Sequence, residues 1–173
     1  MAIVEPRPFE WNYCGTCGQS LMPSHDGERE RPYCAACNRH YYLNPVPACC
    51  IFIRDVDGRL LFGKRAVAPC FGYWALPGGF MEIHETGEQC ALREMREETG
   101  LTGDGARLLG ASAARSRDKG AVLVLGYVIA AWQGELVPDS DVSDLKFFSR
   151  AERPPVPFTA HRELLDLYDA LNP

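Results

Sequence analysis

No stretch of this 173-residue chain is apolar for long enough to cross a bilayer. The opening residues MAIVEPRPFEW also lack the charged, apolar and small-residue zones of an export signal. These absences predict a cytoplasmic protein with no membrane partner. An excess of positive charge is missing too. The formal net charge is −5, so the surface as a whole does not attract nucleic acid or anionic lipid. Without an export signal, the eight cysteines read as thiols and metal ligands rather than as a disulfide framework. Long-period repeats are absent, and only a Cys-x-x-Cys unit recurs. What remains is an ordinary globular composition, 46% hydrophobic and 24% charged, which argues against disorder. Its length suits one catalytic domain with a small satellite.

The satellite is set off by a local scarcity. The segment YCGTCGQSLMPSHDGERERPYCAACNRHYYLNP, residues 13–45, is poor in aliphatic side chains and cannot bury a useful core without a staple. Cys14 and Cys17 form one Cys-x-x-Cys, Cys34 and Cys37 another, with 16 residues between the pairs. Small residues at both knuckles let backbone amides turn toward sulfur. Four thiolates suit tetrahedral Zn²⁺, and a closed Cys₄ shell is of the structural type. A redox pair is the rival reading, but redox Cys-x-x-Cys motifs start a helix within a larger fold. His25 and His40 are near enough to be ligands, yet four cysteines already complete the shell. Cys49, Cys50, Cys70 and Cys90 share no ligand spacing and read as small buried hydrophobes.

Beyond Pro45 and Pro47 the texture changes. Val46–Ile53 reads as a buried strand, and Asp57-Gly58 as a turn that returns the chain through Leu60–Arg65 to make a hairpin. Tyr73–Leu76 is a short strand stopped by Pro77-Gly78-Gly79. A helix is expected from Thr86 to Thr99 with Gly100 as its cap. Leu108–Ser116 and Ala121–Trp132 suggest a second hairpin turning at Asp118-Lys119-Gly120, and Leu145–Phe148 a short strand. A final helix over Thr159–Leu171 places Leu164, Leu165, Tyr168 and Leu171 on one face. Strands with two helices in this order predict an α/β sandwich with a mixed sheet.

Five of the 23 acidic residues fall between Glu85 and Glu98. Glu94, Glu97 and Glu98 lie at i, i+3 and i+4, on one helical face, where like charges repel. A solvated charged face would interleave Lys or Arg at i+4, but Glu94 meets Glu98 at that spacing and Arg93 offsets only part of the repulsion. Clustered hard oxygens suit Mg²⁺ or Mn²⁺, ions that usually bind together with substrate phosphates. Gly78-Gly79 allows the backbone to come close to such a group.

Gly79, five residues, Glu85, seven residues and then Arg93-Glu94-Met95-Arg96-Glu97-Glu98-Thr99-Gly100-Leu101 resembles the complete Nudix box, matched at every fixed position. Average composition yields that pattern by chance on the order of 10⁻⁸ per chain. The resemblance implies an α/β/α sandwich with a mixed sheet over residues 45–173, preceded by the leader and zinc ribbon over residues 1–44. It also implies metal-dependent hydrolysis of a nucleoside diphosphate linked to another moiety, such as FAD, ADP-ribose or an NAD(H)-like dinucleotide. Carried over by position, Glu94, Glu97 and Glu98 would hold the catalytic Mg²⁺ or Mn²⁺, with the Gly79 carbonyl as a further ligand. Arg93 and Glu85 would form the ion pair that orients loop and helix. In this family a later loop often supplies the general base, and Asp141 sits there, with Asp139 and Asp144 as rivals.

A Cys₄ ribbon followed by Asn44-Pro45 and a Nudix domain is similar to the NADH pyrophosphatase branch and to ribbon-bearing relatives active on FAD or ADP-ribose. The stretch ASAARSRDKGAVLVLGYV, residues 111–128, departs from the Ser-Gln-Pro-Trp-rich motif of the NADH branch. LKFF and PFTAHREL, at 145–148 and 157–164, fit the other relatives better. Phe71, Tyr73 and Phe80 could stack on a base, whereas Trp74 reads as core. Arg65, Arg115, Arg117, His161 and Arg162 could meet phosphate oxygens. The expected partner is a small-molecule nucleotide, and a homodimer stays open. Nucleic-acid binding through the ribbon is disfavoured, since Asp26, Glu28 and Glu30 oppose Arg29, Arg31 and Arg39. The other reading is a non-catalytic, nucleotide-sensing regulator. An eroded box would support it, and this box is intact.

Overall fold

The computed structural model describes residues 11–116 and 120–172. Arg117, the Asp118-Lys119 half of the anticipated turn, and residues 1–10 of the leader lie outside them. The chain divides into two compact units, one running to Pro45 and including Arg115–Ala121, the other comprising Val46–Ala114 and Val122 onward.

The first unit is built on β1 (Met22–His25), β2 (Glu30–Cys34) and β3 (Arg39–His40), an antiparallel sheet in the order β1-β2-β3. None of these strands was singled out by the sequence pattern, because they bury too little to alternate. Local polar bonding shapes them instead. At the β1–β2 turn, Asp26 Oδ1 accepts the amides of Glu28 and Arg29, both at 2.9 Å, while its Oδ2 lies 2.7 Å from Arg31 Nε. Among the described residues, only Cys14 and Cys34 are fully buried apolar side chains in this ribbon.

The second unit contains β4 (Val46–Phe52), β5 (Leu60–Arg65), β6 (Trp74–Ala75), α1 (Gly87–Thr99), β7 (Thr102–Gly103), most of β8 (Ala106–Ser116) and of β9 (Gly120–Ile129), β10 (Trp132–Gln133), β11 (Val142–Phe148) and α2 (Thr159–Leu171), the last two residues of β8 and the first two of β9 grouping with the first unit. Strand β4 runs parallel to β9, Val46 opposite Val122 and Phe52 opposite Val128, in the sheet β4-β9-β8. Strand β5 pairs antiparallel with β11 and β6 in a second three-stranded sheet, and β7 with β10 forms a short ribbon. Parallel and antiparallel pairing therefore coexist, as the mixed-sheet reading expects.

The hairpin expected from Val46–Ile53 and Leu60–Arg65 does not form a ladder. Its pairing stays at the turn end: a bridge between Arg54 and Leu60, and the bonds from Leu61 N to Ile53 O, 2.9 Å, and from Asp55 N to Arg59 O, 3.0 Å. Beyond it, β5 pairs with β11 from Phe148–Leu60 to Val142–Arg65, with a register shift between Val142 and Asp144, and with β6 on its other side. Strand β4 pairs with β9. Strand β11 accordingly begins three residues before the four-residue strand read from Leu145–Phe148.

Strands β4 and β5 are buried on both faces over most of their length, which is why their sequences are largely apolar runs. From β4 and β5, Cys50, Phe52, Leu60 and Phe62 pack with Leu164, Leu165 and Tyr168 of α2. Cys49, Ile51 and Leu61 pack instead with Cys90, Ala91 and Met95 of α1. The helices thus cover opposite faces, giving the α/β/α layering. Leu171, expected on the packed face of α2, is 60% exposed, because the last turn runs past the edge of the core. Trp74 packs edge-on against Phe148 at 5.2 Å, as its core reading requires. Cys49, Cys50 and Cys90 are buried as anticipated, whereas Cys70 is only partly buried and adopts φ 64° in a loop.

Candidate active site

Helix α1 starts where the sequence says it should, through a reciprocal cap. Gln89 N donates to Thr86 Oγ1 at 3.2 Å, and Thr86 N donates to Gln89 Oε1 at 2.8 Å. It ends at Gly100, whose left-handed φ of 73° lets its amide reach Arg96 O. With both ends defined, the rotational phase of the helix is set: Cys90, Ala91 and Met95 face the core, and the glutamates emerge along its margin.

The glycine loop meets that margin. Gly78 N donates to Glu98 Oε2 at 2.8 Å. Gly79 O accepts from Cys49 N at 2.8 Å, which uses one of its two lone pairs. Any side chain at Gly79 would run into the Glu94 carboxylate, and one at Gly78 into the Cys49 backbone. Both glycines are needed for close approach, and Gly78 also adopts φ 141°.

Arg93 ties loop and helix together. Its Nη2 lies 2.7 Å from Glu85 Oε1 and its Nε 3.0 Å from Glu85 Oε2, a bidentate pair. Nη2 also donates to Phe80 O, while Nη1 reaches Glu94 at 2.7 Å and Glu97 at 3.0 Å. Glu85 in turn accepts Glu82 N. The Arg93 guanidinium, with a smaller contribution from this amide, brings the Glu85 carboxyl down to about 2.

Glu98 is a buried carboxylate, 5% exposed, without an adequate counter-charge. Burial pushes it up to about 8; Glu94 and Asp141 add repulsion, which Gly78 N and the charge of Arg65 only partly offset. Burial also raises Glu94, with Arg93 opposing the shift. Glu97 is the outermost of the three. Glu94 and Glu97 share Arg93 while Glu98 takes the Gly78 amide, and the three do not form a closed cluster: among the described residues only the four cysteines bring three or more ligand atoms within 4.8 Å of one another. Their chemistry nonetheless fits a hard divalent cation. All donors are oxygens, the Gly79 carbonyl carries the Cys49 amide and, weakly at 3.9 Å, the Cys90 thiol, and the most buried carboxylate lacks a paired positive charge.

Asp141 is exposed beside this margin. Its carbonyl accepts Ala66 N at 2.7 Å, which brings it next to Arg65, and its charge acts on Glu98. The rivals are engaged locally, Asp139 Oδ1 by Ser140 N and Asp144 Oδ1 by Leu145 N. Phe71, Tyr73 and Phe80 are exposed. Arg115 groups with the first unit, and Arg162 is occupied by Val156 O, Pro157 O and Thr159 Oγ1. Phe158 was not foreseen: its ring lies under the Arg65 guanidinium, 93 positions away in sequence, and no local pattern links the two.

In the ribbon, Cys14, Cys17, Cys34 and Cys37 converge within 4.8 Å. Tyr41 Oη lies 3.0 Å from Cys14 Sγ and is the main reason that thiol falls to about 5; Thr16 N also points at the sulfur. Neighbouring thiols, Cys17 first, push Cys37 up to about 12. Four sulfurs this close cannot all ionise unless a cation sits among them, which fits a soft metal of the zinc type. His25 stays out, its Nδ1 accepting Gly27 N. Tyr41 is the contributor the cysteine spacing did not reveal.

A glycine loop is clamped by an arginine onto a helix that lines up carboxylates. Residues 44–169 match the pattern described as the NUDIX domain, and the chain belongs to the Nudix family. It is 32% identical over 159 residues to the NAD-capped RNA hydrolase NudC of Pseudomonas aeruginosa, covering 90% of this chain and 55% of that protein. It therefore spans about half the length of that relative. It is 35% identical over 126 residues to the ADP-ribose pyrophosphatase of Methanocaldococcus jannaschii, covering 72% of this chain and 74% of the relative. A Nudix hydrolase from Nitrosomonas europaea shares the fold, with a TM-score of 0.74 and 24% identity over 94% of this chain and 93% of that one. Among the described residues, no helix is long and apolar enough to cross a membrane.

Proposed function

We propose that the chain is a pyrophosphohydrolase that cleaves the diphosphate link of a dinucleotide-like substrate, of the ADP-ribose, FAD or NAD(H) class. The observation that carries this reading is the under-compensated, buried Glu98 beside the Gly78-Gly79 loop, within a complete box. Glu94, Glu97 and Glu98 would hold Mg²⁺ or Mn²⁺ together with the Gly79 carbonyl. The bound cation supplies neutralisation of phosphate charge and a lowered pKa for water. Arg93 and Glu85 keep loop and helix in register, so the donors stay aligned without rearrangement. Asp141, exposed and near Glu98, is placed to take a proton from water. Arg65 meets a phosphate oxygen. Exposed Phe71, Tyr73 and Phe80 offer faces on which a base could stack.

The ribbon, assigned to residues 1–44 with the catalytic domain at 45–173, would hold a structural Zn²⁺. The proposed compartment is the cytoplasm, and the proposed assembly a homodimer. The names of the two curated relatives support the substrate class. A panel of ADP-ribose, FAD, NADH, NAD⁺ and NAD-capped RNA, resolved by chromatography with Mg²⁺, Mn²⁺ or EDTA, tests the reading. Nucleoside monophosphate should appear only with added cation. Full turnover in EDTA would overturn the metal assignment. Tight binding of ADP-ribose with no cleavage of any substrate would favour the sensor.

A further inference from the structure

Arg65, at the end of β5, is held by one group near it in sequence and one far from it. Its Nε donates to Pro69 O at 2.8 Å, and its guanidinium carbon lies 5.3 Å from the centroid of the Phe158 ring. Phe158 immediately precedes α2, and its ring is 5.2 Å from that of His161, tilted by 55°. Among the described residues no carboxylate pairs with Arg65; its charge is felt instead by Glu98 on one side and by His161 on the other. His161 Nδ1 is shut off from solvent and has no hydrogen-bond partner among the described residues. Burial, and secondarily Arg65, bring the imidazole down to about 4, so at neutral pH it carries no charge to repel the guanidinium.

A guanidinium without a carboxylate partner is normally mobile. Stacked on an aromatic face it is pre-oriented, and its planar fork can meet two oxygens at once. We propose that Phe158 and His161 are positioning residues that hold Arg65 toward Glu98 as the seat for an oxygen of the substrate's diphosphate. This rests on the diphosphate reading of the site and adds to it a link between the start of α2 and the box. Phe158 supplies the face that fixes the guanidinium plane, and His161 backs that ring. Among the described residues no carboxylate is paired with Arg65, and Glu98 acts on its charge only at a distance.

The test is a double-mutant cycle on the full chain: wild type, Phe158→Leu, Arg65→Ala and the double variant. Each is read as kcat/KM, as the dissociation constant of inorganic pyrophosphate measured calorimetrically with Mg²⁺, and as Tm. Phe158→Leu should lower kcat/KM about fivefold, chiefly through KM, as expected for loss of one cation–π contact. Phe158→Tyr, which keeps the aromatic face, should stay within about twofold of wild type. Once Arg65 is removed, Phe158→Leu should cost nothing further in kcat/KM or in pyrophosphate affinity, and His161→Ala should behave in the same way. Equal losses with and without Arg65, or a lower Tm with kcat/KM and pyrophosphate binding unchanged, would reduce Phe158 and His161 to packing and overturn the proposal. If the wild type cleaves no dinucleotide, the functional reading itself fails. The pyrophosphate cycle then still decides, with coupling supporting the positioning role and additivity sinking it.

Discussion

Gly79 lies so close to Glu94 that a Cβ on the glycine would sit 2.6 Å from the carboxyl carbon. This contact is between a loop and the far end of a flexible side chain, so it can be relieved by moving the carboxylate. Gly79→Ala is therefore expected to leave Tm within about 4 °C of wild type while lowering kcat at least tenfold by displacing Glu94. Gly78→Ala should behave differently. There the obstruction is the Cys49 backbone, and φ is 141°, so folding itself should suffer. Thermal melts beside kinetics on the two variants separate these outcomes.

Glu97→Gln and Glu98→Gln should each abolish most hydrolysis. Removing one carboxylate from the shared face relieves repulsion by roughly 0.2–0.5 kcal/mol per like-charge pair, whereas a lost metal ligand costs several kcal/mol at the transition state. In metal-free protein, Tm should stay level or rise. Near-normal turnover of both variants at saturating Mg²⁺ and substrate would make the cluster a solvated helix face.

Glu98, bonded to the Gly78 amide, and Glu85, held by Arg93, should give the metal-free protein opposite pH responses. Glu98 is raised in the folded state to about 8, so the folded protein holds its proton more tightly than the unfolded chain. The resulting stability is complete below the unfolded carboxyl range and is lost as pH rises toward 8. Glu85 is lowered to about 2, so its contribution is present above the unfolded value and disappears as pH falls through 2. Melts in EDTA should therefore show Tm declining between about pH 4.5 and 8, and Glu98→Gln should flatten that decline by on the order of 5 °C. An unchanged slope in Glu98→Gln would place the titrating group elsewhere.

Protein purified without chelator should carry one zinc per chain, and Cys34→Ser should lose it. The carboxylate site lies in the other compact unit, so its melting transition should persist in this variant. Elemental analysis with calorimetry checks both points. Zinc-free wild-type protein would count against the Cys₄ assignment.

The helices were legible in the sequence because their determinants are local. Thr86, Gln89 and Gly100 cap α1 within a few residues of its ends, and α2 matches Thr159–Leu171 as read from its apolar spacing. The box and the paired cysteines are equally local, which is why the cysteines and the glutamate face could be named from spacing, and Glu85, Arg93 and the Gly79 carbonyl from the resemblance of the box to the Nudix pattern. Strand partners were not legible. A run that is apolar on both faces carries no mark of its neighbour, so Val46–Phe52 could look like half of a hairpin while pairing in parallel with Val122–Val128. The electrostatic character of the site was likewise decided in three dimensions. Glu94, Glu97 and Glu98 are equivalent by spacing, yet packing makes Glu98 the buried one and leaves Glu97 at the rim. Only the tertiary fold brings Phe158 under Arg65 and the Gly79 backbone against Glu94. Contacts between residues distant along the chain depend on how the layers stack, and helical or strand periodicity does not encode them.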